Sequence, residues 1–283
     1  MTAPPTIAED EAATAELASI DTGAAAARRF RIPYAALTAV AFIAIWQLAT
    51  NLLHTPSFLL PSPYAILKDL IANRDILVRQ TGVTAFEVGL GYLLSIAIGM
   101  PLAILFTYSR TFERSIYPLI VGSQTIPKVA VAPLLLSWFG FGLLPKIVIV
   151  ILVTFFPIII NAVVGLKSLS PNMLNLARSM GANMFQVFWR FRLPNALPSI
   201  FAGLKVATVL AVIGAVVAEF VGADGGLGYV IMMATADLNV ARQFSAIVLL
   251  SVLGILFFWV IGYIERLLLP WHISVRADEH HDA

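Results

Sequence analysis

The chain has 283 residues, 59% hydrophobic and 12% charged, with a formal net charge of +2 and no cysteine. A soluble domain carries roughly 25% charged residues, so this composition excludes a fold whose main solvent is water. The small net charge gives no basis for nucleic-acid binding, and the lack of cysteine excludes disulfides, thiolate nucleophiles and Cys-ligated metals together.

The apolar residues gather into blocks of roughly 20, the length a helix needs to cross about 30 Å of hydrocarbon. Runs such as IVIVILVTFFPIIINAVVGL lack the alternation of a membrane-barrel strand. The expected fold class is all-α, a polytopic membrane protein with six transmembrane helices. Residues 1–32 are expected to be a disordered cytoplasmic tail, because Met1 to Ala27 contain no apolar run. No basic residue precedes Arg28 to suggest a signal peptide. The transmembrane domain is expected at 33–265 and a short cytoplasmic tail at 266–283.

Within that domain the spans are expected near Pro33–Leu53, Thr84–Thr107, Ser115–Phe139, Pro145–Gly165, Ile200–Val221 and Phe244–Ile264. Between the first two, PSPYAILKDLIANRDILVRQ has the pattern of an amphipathic helix lying on the membrane surface. With six crossings, Arg28, Arg29, Arg31, Arg110, Arg114, Lys167, Arg178, Arg190, Arg192, Arg266 and Arg276 share one side, which places both termini in the cytoplasm. Gly91, Ser95 and Gly99, and again Gly214, Ala218 and Gly222, recur at four-residue spacing. Such faces let backbones approach closely in lipid, and internal packing is the expected use. Pro127, Pro133 and Pro157 fall inside expected spans, where each bends its helix.

The longest connection, 167–197, has its own pattern. Ser170 and Pro171 make a helix start, Met173, Leu174, Ala177 and Met180 an apolar stripe, and Gly181 a turn. Met184, Phe185 and Phe188 begin a second short helix, which Pro194 is expected to stop. Periodicity by itself fits a helix pair resting on lipid. The residues also form a motif: Asn175-Leu176-Ala177, three residues, Gly181, nine residues, then Phe191-Arg192-Leu193-Pro194. This resembles the Glu-Ala-Ala signature of ABC importer permeases, with Ala177, Gly181, Leu193 and Pro194 at the family's spacing and Asn175 where the family has its acid. LPSPYAIL, IPKVAVAPLLLSWFGFG, FFPIIINAVVGL and AEFVGADGGLGYVI extend the resemblance, in order, to the permeases for nitrate, alkanesulfonates, taurine and pyrimidine precursors of thiamine.

The resemblance implies a type I ABC importer permease of the bacterial cytoplasmic (inner) membrane, acting as a homodimer with an ATP-binding ABC subunit and a periplasmic or lipid-anchored substrate-binding protein. It implies that Asn175, Ala177, Gly181, Leu193 and Pro194 couple the chain to that ATPase. No Gly-x-x-x-x-Gly-Lys-Ser/Thr loop occurs, so the chain is not expected to be an enzyme or to bind a cofactor, and ATP is hydrolysed by the partner. An ion-coupled secondary transporter is the alternative; it should show inverted repeats or several midplane carboxylates, and neither is found.

Charges within spans need a reason. Glu87 and Lys205, near expected helix ends, are expected to snorkel to the headgroups. Lys128 and Glu219 are expected to line or gate the translocation pathway, or else to form a structural pair. GADGGLG, after the fifth span, is expected to be a flexible periplasmic turn. The terminal Asp278, Glu279, His280, His281 and Asp282 are expected to be a solvated cluster rather than a metal site.

Overall fold

A computed structural model describes residues 34–270 except His54, Ser57 and Ala223. The expected tails, apart from 266–270, and the bases Arg28, Arg29, Arg31 and Arg276 lie outside the described residues. The chain divides into two units, Met1–His54 and Thr55–Ala283. Among the described residues every regular element is a helix.

The first unit contains α1 (Tyr34–Leu52). The second contains α2 (Pro63–Ala72), α3 (Arg74–Tyr108), α4 (Arg110–Ser123), α5 (Lys128–Phe139), α6 (Leu143–Lys167), α7 (Pro171–Ser179), α8 (Met184–Val187), α9 (Leu193–Gly222), α10 (Leu227–Ala236) and α11 (Val240–Leu268). Helices start where the sequence offers a cap. Ser62, Ser109 and Ser170 each accept a hydrogen bond from the backbone N–H three residues on, which satisfies a donor the helix cannot.

Four continuous stretches, Arg74–Tyr108, Leu143–Lys167, Met184–Gly222 and Val240–Leu268, are long and apolar enough to cross a bilayer, and the pair α4–α5 would make a fifth. The sixth expected span falls on α1, whose apolar stretch Leu37–Leu52 is shorter. The six-span count is therefore not reached by length and composition within the described residues.

Three sequence expectations are corrected. The amphipathic segment after α1 is not one surface helix. It breaks at Asn73, and its second half is the start of the 35-residue α3. Its first half, α2, lies against α11, with Ser245 Oγ donating to the Ile66 carbonyl and Arg242 paired to Asp69 at 3.1 Å. The expected span Ser115–Phe139 is two helices bent by 96°. Pro127 disfavours helical geometry at Ile126, and the end of α4 tightens into Gln124 N–H to Val121 and Thr125 N–H to Gly122 bonds. Pro194 does not stop the second short helix either. A π-helical turn over Phe188–Arg192 carries the chain into α9, with the Leu193 N–H reaching back to the Phe188 carbonyl. Pro194 then sits in the first turn of α9, where a missing donor costs little.

The core is built on α6, which lies between α3 and α9. The small stripe of α3 faces a branched stripe of α6 at the same four-residue spacing. A Cβ on Gly91 would stand 2.6 Å from Val150 Cβ, Ser95 Oγ and Thr154 Oγ1 share a 2.5 Å hydrogen bond, and Gly99 faces Ile158. On the other side, a Cβ on Gly203 would meet Asn161 Cβ at 2.5 Å and the Pro157 carbonyl oxygen at 2.9 Å. The second stripe is also used internally, Gly214 against Val150 and Gly222 against Leu136 and Phe141. Small residues thus replace the hydrophobic drive that lipid removes, by allowing close dispersion contact.

Candidate functional site

The polar side chains of the second unit concentrate at its two ends. At one end, three residues of α3 at helical spacing, Gln80, Thr84 and Glu87, meet the end of α9 and the start of α10. Glu219 is fully buried; its Oε1 accepts from Thr84 Oγ1 at 2.7 Å and its Oε2 from the Gly228 N–H at 2.5 Å. Thr84 Oγ1 in turn accepts from the Leu227 N–H at 2.8 Å, and Gln80 Oε1 from the Gly226 N–H at 2.7 Å. The first free donors of α10 are thus satisfied by side chains of two other helices, and a carboxyl stands at a helix N-terminus, where the dipole favours it.

Beside this knot, Glu87 and Lys146 form an ion pair of 2.7 Å, with side chains 2% and 5% exposed. Asp224, exposed at the rim, lies 3.8 Å from the same ammonium. Glu87 therefore does not snorkel. Lys205, half-buried, pairs with Glu265 near the end of α11 and lies 5.8 Å from the centroid of the Phe258 ring.

The GADGGLG segment is not a loose turn. Gly225, Gly226, Leu227 and Gly228 are all buried. Gly226 has φ +109, and a Cβ there would run into the Glu219 carboxyl; on Gly228 it would stand 2.8 Å from Glu219 Oε2. Glycine is required because the backbone must approach a side chain this closely.

The sequence placed Lys128 and Glu219 on one pathway, and the structure does not bring them together. Lys128 opens α5 at the α4–α5 bend, half-buried, with Nζ donating to Gln124 Oε1 at 2.5 Å. Glu219's partners are Thr84 and Gly228, so no Lys128–Glu219 pair forms. An apolar groove of about 540 Å³ opens between α9 and α11, lined in part by Val212, Val216, Leu250, Gly254, Phe258 and Trp259. Neither charged residue lines it.

At the other end, α6 finishes with Lys167 paired to Glu113 of α4 at 2.5 Å, and Asn195 Nδ2 donates to Ser168 Oγ at 2.7 Å. The expected helix–turn–helix stands here. Ala182 N–H reaches the Ala177 carbonyl and Gly181 N–H that of Arg178, with Gly181 at φ +78. This double closure is a Schellman motif, whose left-handed position favours glycine. Asn183 and Gln186 form a capping box that starts α8. Ala177 and Val187 are buried, Phe188 and Leu193 pack on the core, and Pro194 is half-buried. Asn175 is exposed.

The outward side of this platform is apolar. Met173, Leu176 and Met180 are 44%, 55% and 74% exposed, and Met184, Phe185 and Trp189 continue the surface along α8 and the π turn. Of the expected stripe of Met173, Leu174, Ala177 and Met180 only Ala177 is buried; Met173 and Met180 are exposed, as are Leu176 and Trp189, which were outside that stripe. Nothing in a one-dimensional pattern says which face of a short apolar helix the bundle takes.

Residues 95–269 match the family described as the binding-protein-dependent transport system inner membrane component. The chain is 39% identical over 228 residues to the formylaminopyrimidine transport permease protein ThiX of Halalkalibacterium halodurans, covering 80% of this chain and 91% of that one. It is 32% identical over 238 residues to the putative aliphatic sulfonates transport permease protein SsuC of Bacillus subtilis, covering 83% and 86%. It is 29% identical over 238 residues to the taurine transport system permease protein TauC of Escherichia coli, covering 82% and 86%. Among solved structures, a chain of an inward-facing MetNI methionine ABC transporter superposes with a TM-score of 0.61 at 22% identity, covering 70% of this chain and 98% of that one.

The buried pair yields a stability test. Lys146→Met should destabilise the folded protein by about 3 to 5 kcal/mol, because it leaves the Glu87 carboxylate buried without its counter-charge. The double change Glu87→Gln with Lys146→Met should recover most of that loss. The folded fraction surviving graded heating in detergent measures both; additive losses in the double variant would show that the two side chains are not coupled.

Proposed function

This chain belongs to the family of binding-protein-dependent transport system inner membrane components, and from that membership we propose that it forms the membrane pathway of an ATP-driven importer, taking its solute from a substrate-binding protein and its energy from a separate ATP-binding subunit. The observation that carries the second half is the platform at the α7–α8 elbow. It is a preorganised pair of short helices, continuous with Phe188 and Leu193 on the core, that leaves Met173, Leu176, Met180, Met184, Phe185 and Trp189 exposed. An apolar helix face seated in a groove is a standard mode of recognition. Asn175 and Gly181 act at the docking surface and its turn; Ala177, Leu193 and Pro194 act from beneath, by fixing the platform to the bundle.

The relatives named for formylaminopyrimidine, aliphatic sulfonates and taurine support a small anionic or heteroaromatic solute as cargo. The transporting unit is two copies of this chain around a central pathway, each with six spans when α1 and the bent pair α4–α5 count as one each. Lys128, at the bend between Pro127 and Pro133, faces that pathway, since a cation there is least costly beside water or an anion. Glu219 contributes by holding the outer end together. The bases Arg110, Arg114, Lys167, Arg178, Arg190, Arg192 and Arg266 all belong to the platform end, which is therefore the cytoplasmic one. Both termini are then cytoplasmic.

Three outcomes test this reading. A valine at Gly181 meets no neighbour, since nothing lies within 4 Å of a Cβ built there. Its cost is only the left-handed backbone, about 1 to 2 kcal/mol. Gly181→Val should leave the bundle folded but sharply reduce copurification of the ATP-binding subunit and transport, with Gly181→Asn partly tolerated; full transport by the valine variant would reduce the platform to a surface anchor. The native chain has no cysteine, so orientation can be read directly. A cysteine at Ala72 should react with an impermeant thiol reagent in intact cells and one at Met180 should not; the reverse pattern inverts the topology. Lys128→Ala should lower uptake at least tenfold, about 1.4 kcal/mol, with assembly and basal ATP hydrolysis retained, while unchanged uptake would remove Lys128 from the pathway.

A further inference from the structure

The charge pattern of the platform specifies the surface it fits. From Lys167 to Leu197 the chain has four basic residues and no Asp or Glu. Two of the bases are used within the chain: Lys167 pairs with Glu113, and the Arg192 guanidinium lies 5.0 Å from the centroid of the Tyr108 ring. The other two, Arg178 and Arg190, are exposed and take part in none of the ion pairs among the described residues. Arg178 stands at the end of α7 and Arg190 in the π turn. Asn172, Asn175 and Ser179, at three- and four-residue spacing, make a neutral polar stripe on α7, and all three are exposed.

We propose that the groove receiving this platform is apolar at its floor, carries carboxylates at its rim opposite Arg178 and Arg190, and presents no unpaired cation to Asn175. This rests on the reading of the platform as the ATP-binding subunit's docking element. A guanidinium drawn into an interface needs acceptors that replace its water, and a carboxylate pair meets it with two parallel hydrogen bonds. A cation opposite Asn175 would find only an amide dipole and would lose hydration without a counter-charge. The ATP-binding partner of this chain is therefore matched to it by charge and should discriminate against permeases that present an acid at that position.

Basic and apolar residues together also suit an anionic bilayer surface. The geometry favours a protein groove. The neutral stripe Asn172–Asn175–Ser179 lies beside the stripe Met173–Leu176–Met180, both are exposed, and the neutral one faces away from Ala177. The elbow between α7 and α8 is fixed by the Schellman motif and the capping box, the rigid shape a groove rewards and a fluid surface does not need.

The test uses the permease in nanodiscs and the ATP-binding subunit that copurifies with it. Arg178→Glu should weaken binding about tenfold or more at low salt, with the loss shrinking at high salt, as for a rim charge. Arg178→Lys should retain most of the affinity, and lysine in place of one rim carboxylate of the partner should restore binding to Arg178→Glu. Asn175→Glu should weaken binding. Tighter binding by Asn175→Glu would reveal a free cation in the groove and overturn the proposal, as would indifference to Arg178→Glu. A loss seen only in nanodiscs containing phosphatidylglycerol, and absent in phosphatidylcholine alone, would assign the two arginines to the lipid surface instead. If no ATP-binding subunit copurifies with the wild-type chain, the docking reading itself falls.

Discussion

A polar group inside a bilayer has no water to return to, so each one must find its partner within the protein, and the architecture of this chain follows from where those partners are. Hydrogen bonds and ion pairs lie along the contacts of α3, α6, α9 and α11. Ser95 meets Thr154 across α3 and α6, Tyr92 Oη donates to the Leu204 carbonyl across α3 and α9 at 2.9 Å, and Lys205 meets Glu265 across α9 and α11. Each such contact fixes a rotation and a register that dispersion between small and branched residues alone would leave loose.

The same constraint divides the second unit into two ends of different character. At the Glu219 knot, polar groups turn inward: Glu219, Thr84 and Gln80 close on three backbone donors beside the buried Glu87–Lys146 pair. At the platform, Lys167 pairs with Glu113 and Asn195 with Ser168, and the exposed surface is apolar and basic.

Two helices join these ends without interruption. Lys146 and Lys167 mark opposite ends of α6, and α9 runs from the platform through Pro194 and Pro198 to Glu219. At 25 and 30 residues these helices are about 37 and 45 Å long. The π turn over Phe188–Arg192 and the 96° bend at Gln124–Pro127 are the irregular places in this frame, and irregular backbone is where a bundle accommodates changes in helix direction.

The sequence alone determined the solvent, the all-helical class, the cap at Ser170 and the turn at Gly181, because each depends on composition or on neighbours within a few residues. It also carried a signal that went unused: Gln80, Thr84, Glu87, Gly91, Ser95 and Gly99 form one polar and small stripe along an otherwise apolar helix, the mark of a face turned toward protein. What the partners on that face would be was not legible. Glu87 and Lys146 are separated by 59 residues and Thr84 and Glu219 by 135, and no local pattern pairs them. Only the tertiary structure turned a presumed flexible glycine turn into a buried knot, moved Lys128 from mid-helix to a bend, and chose which apolar side of α7 the bundle would cover. Helix formation is decided by bonds four residues apart, whereas burial, charge pairing and the choice of face are decided by whatever another helix brings into contact.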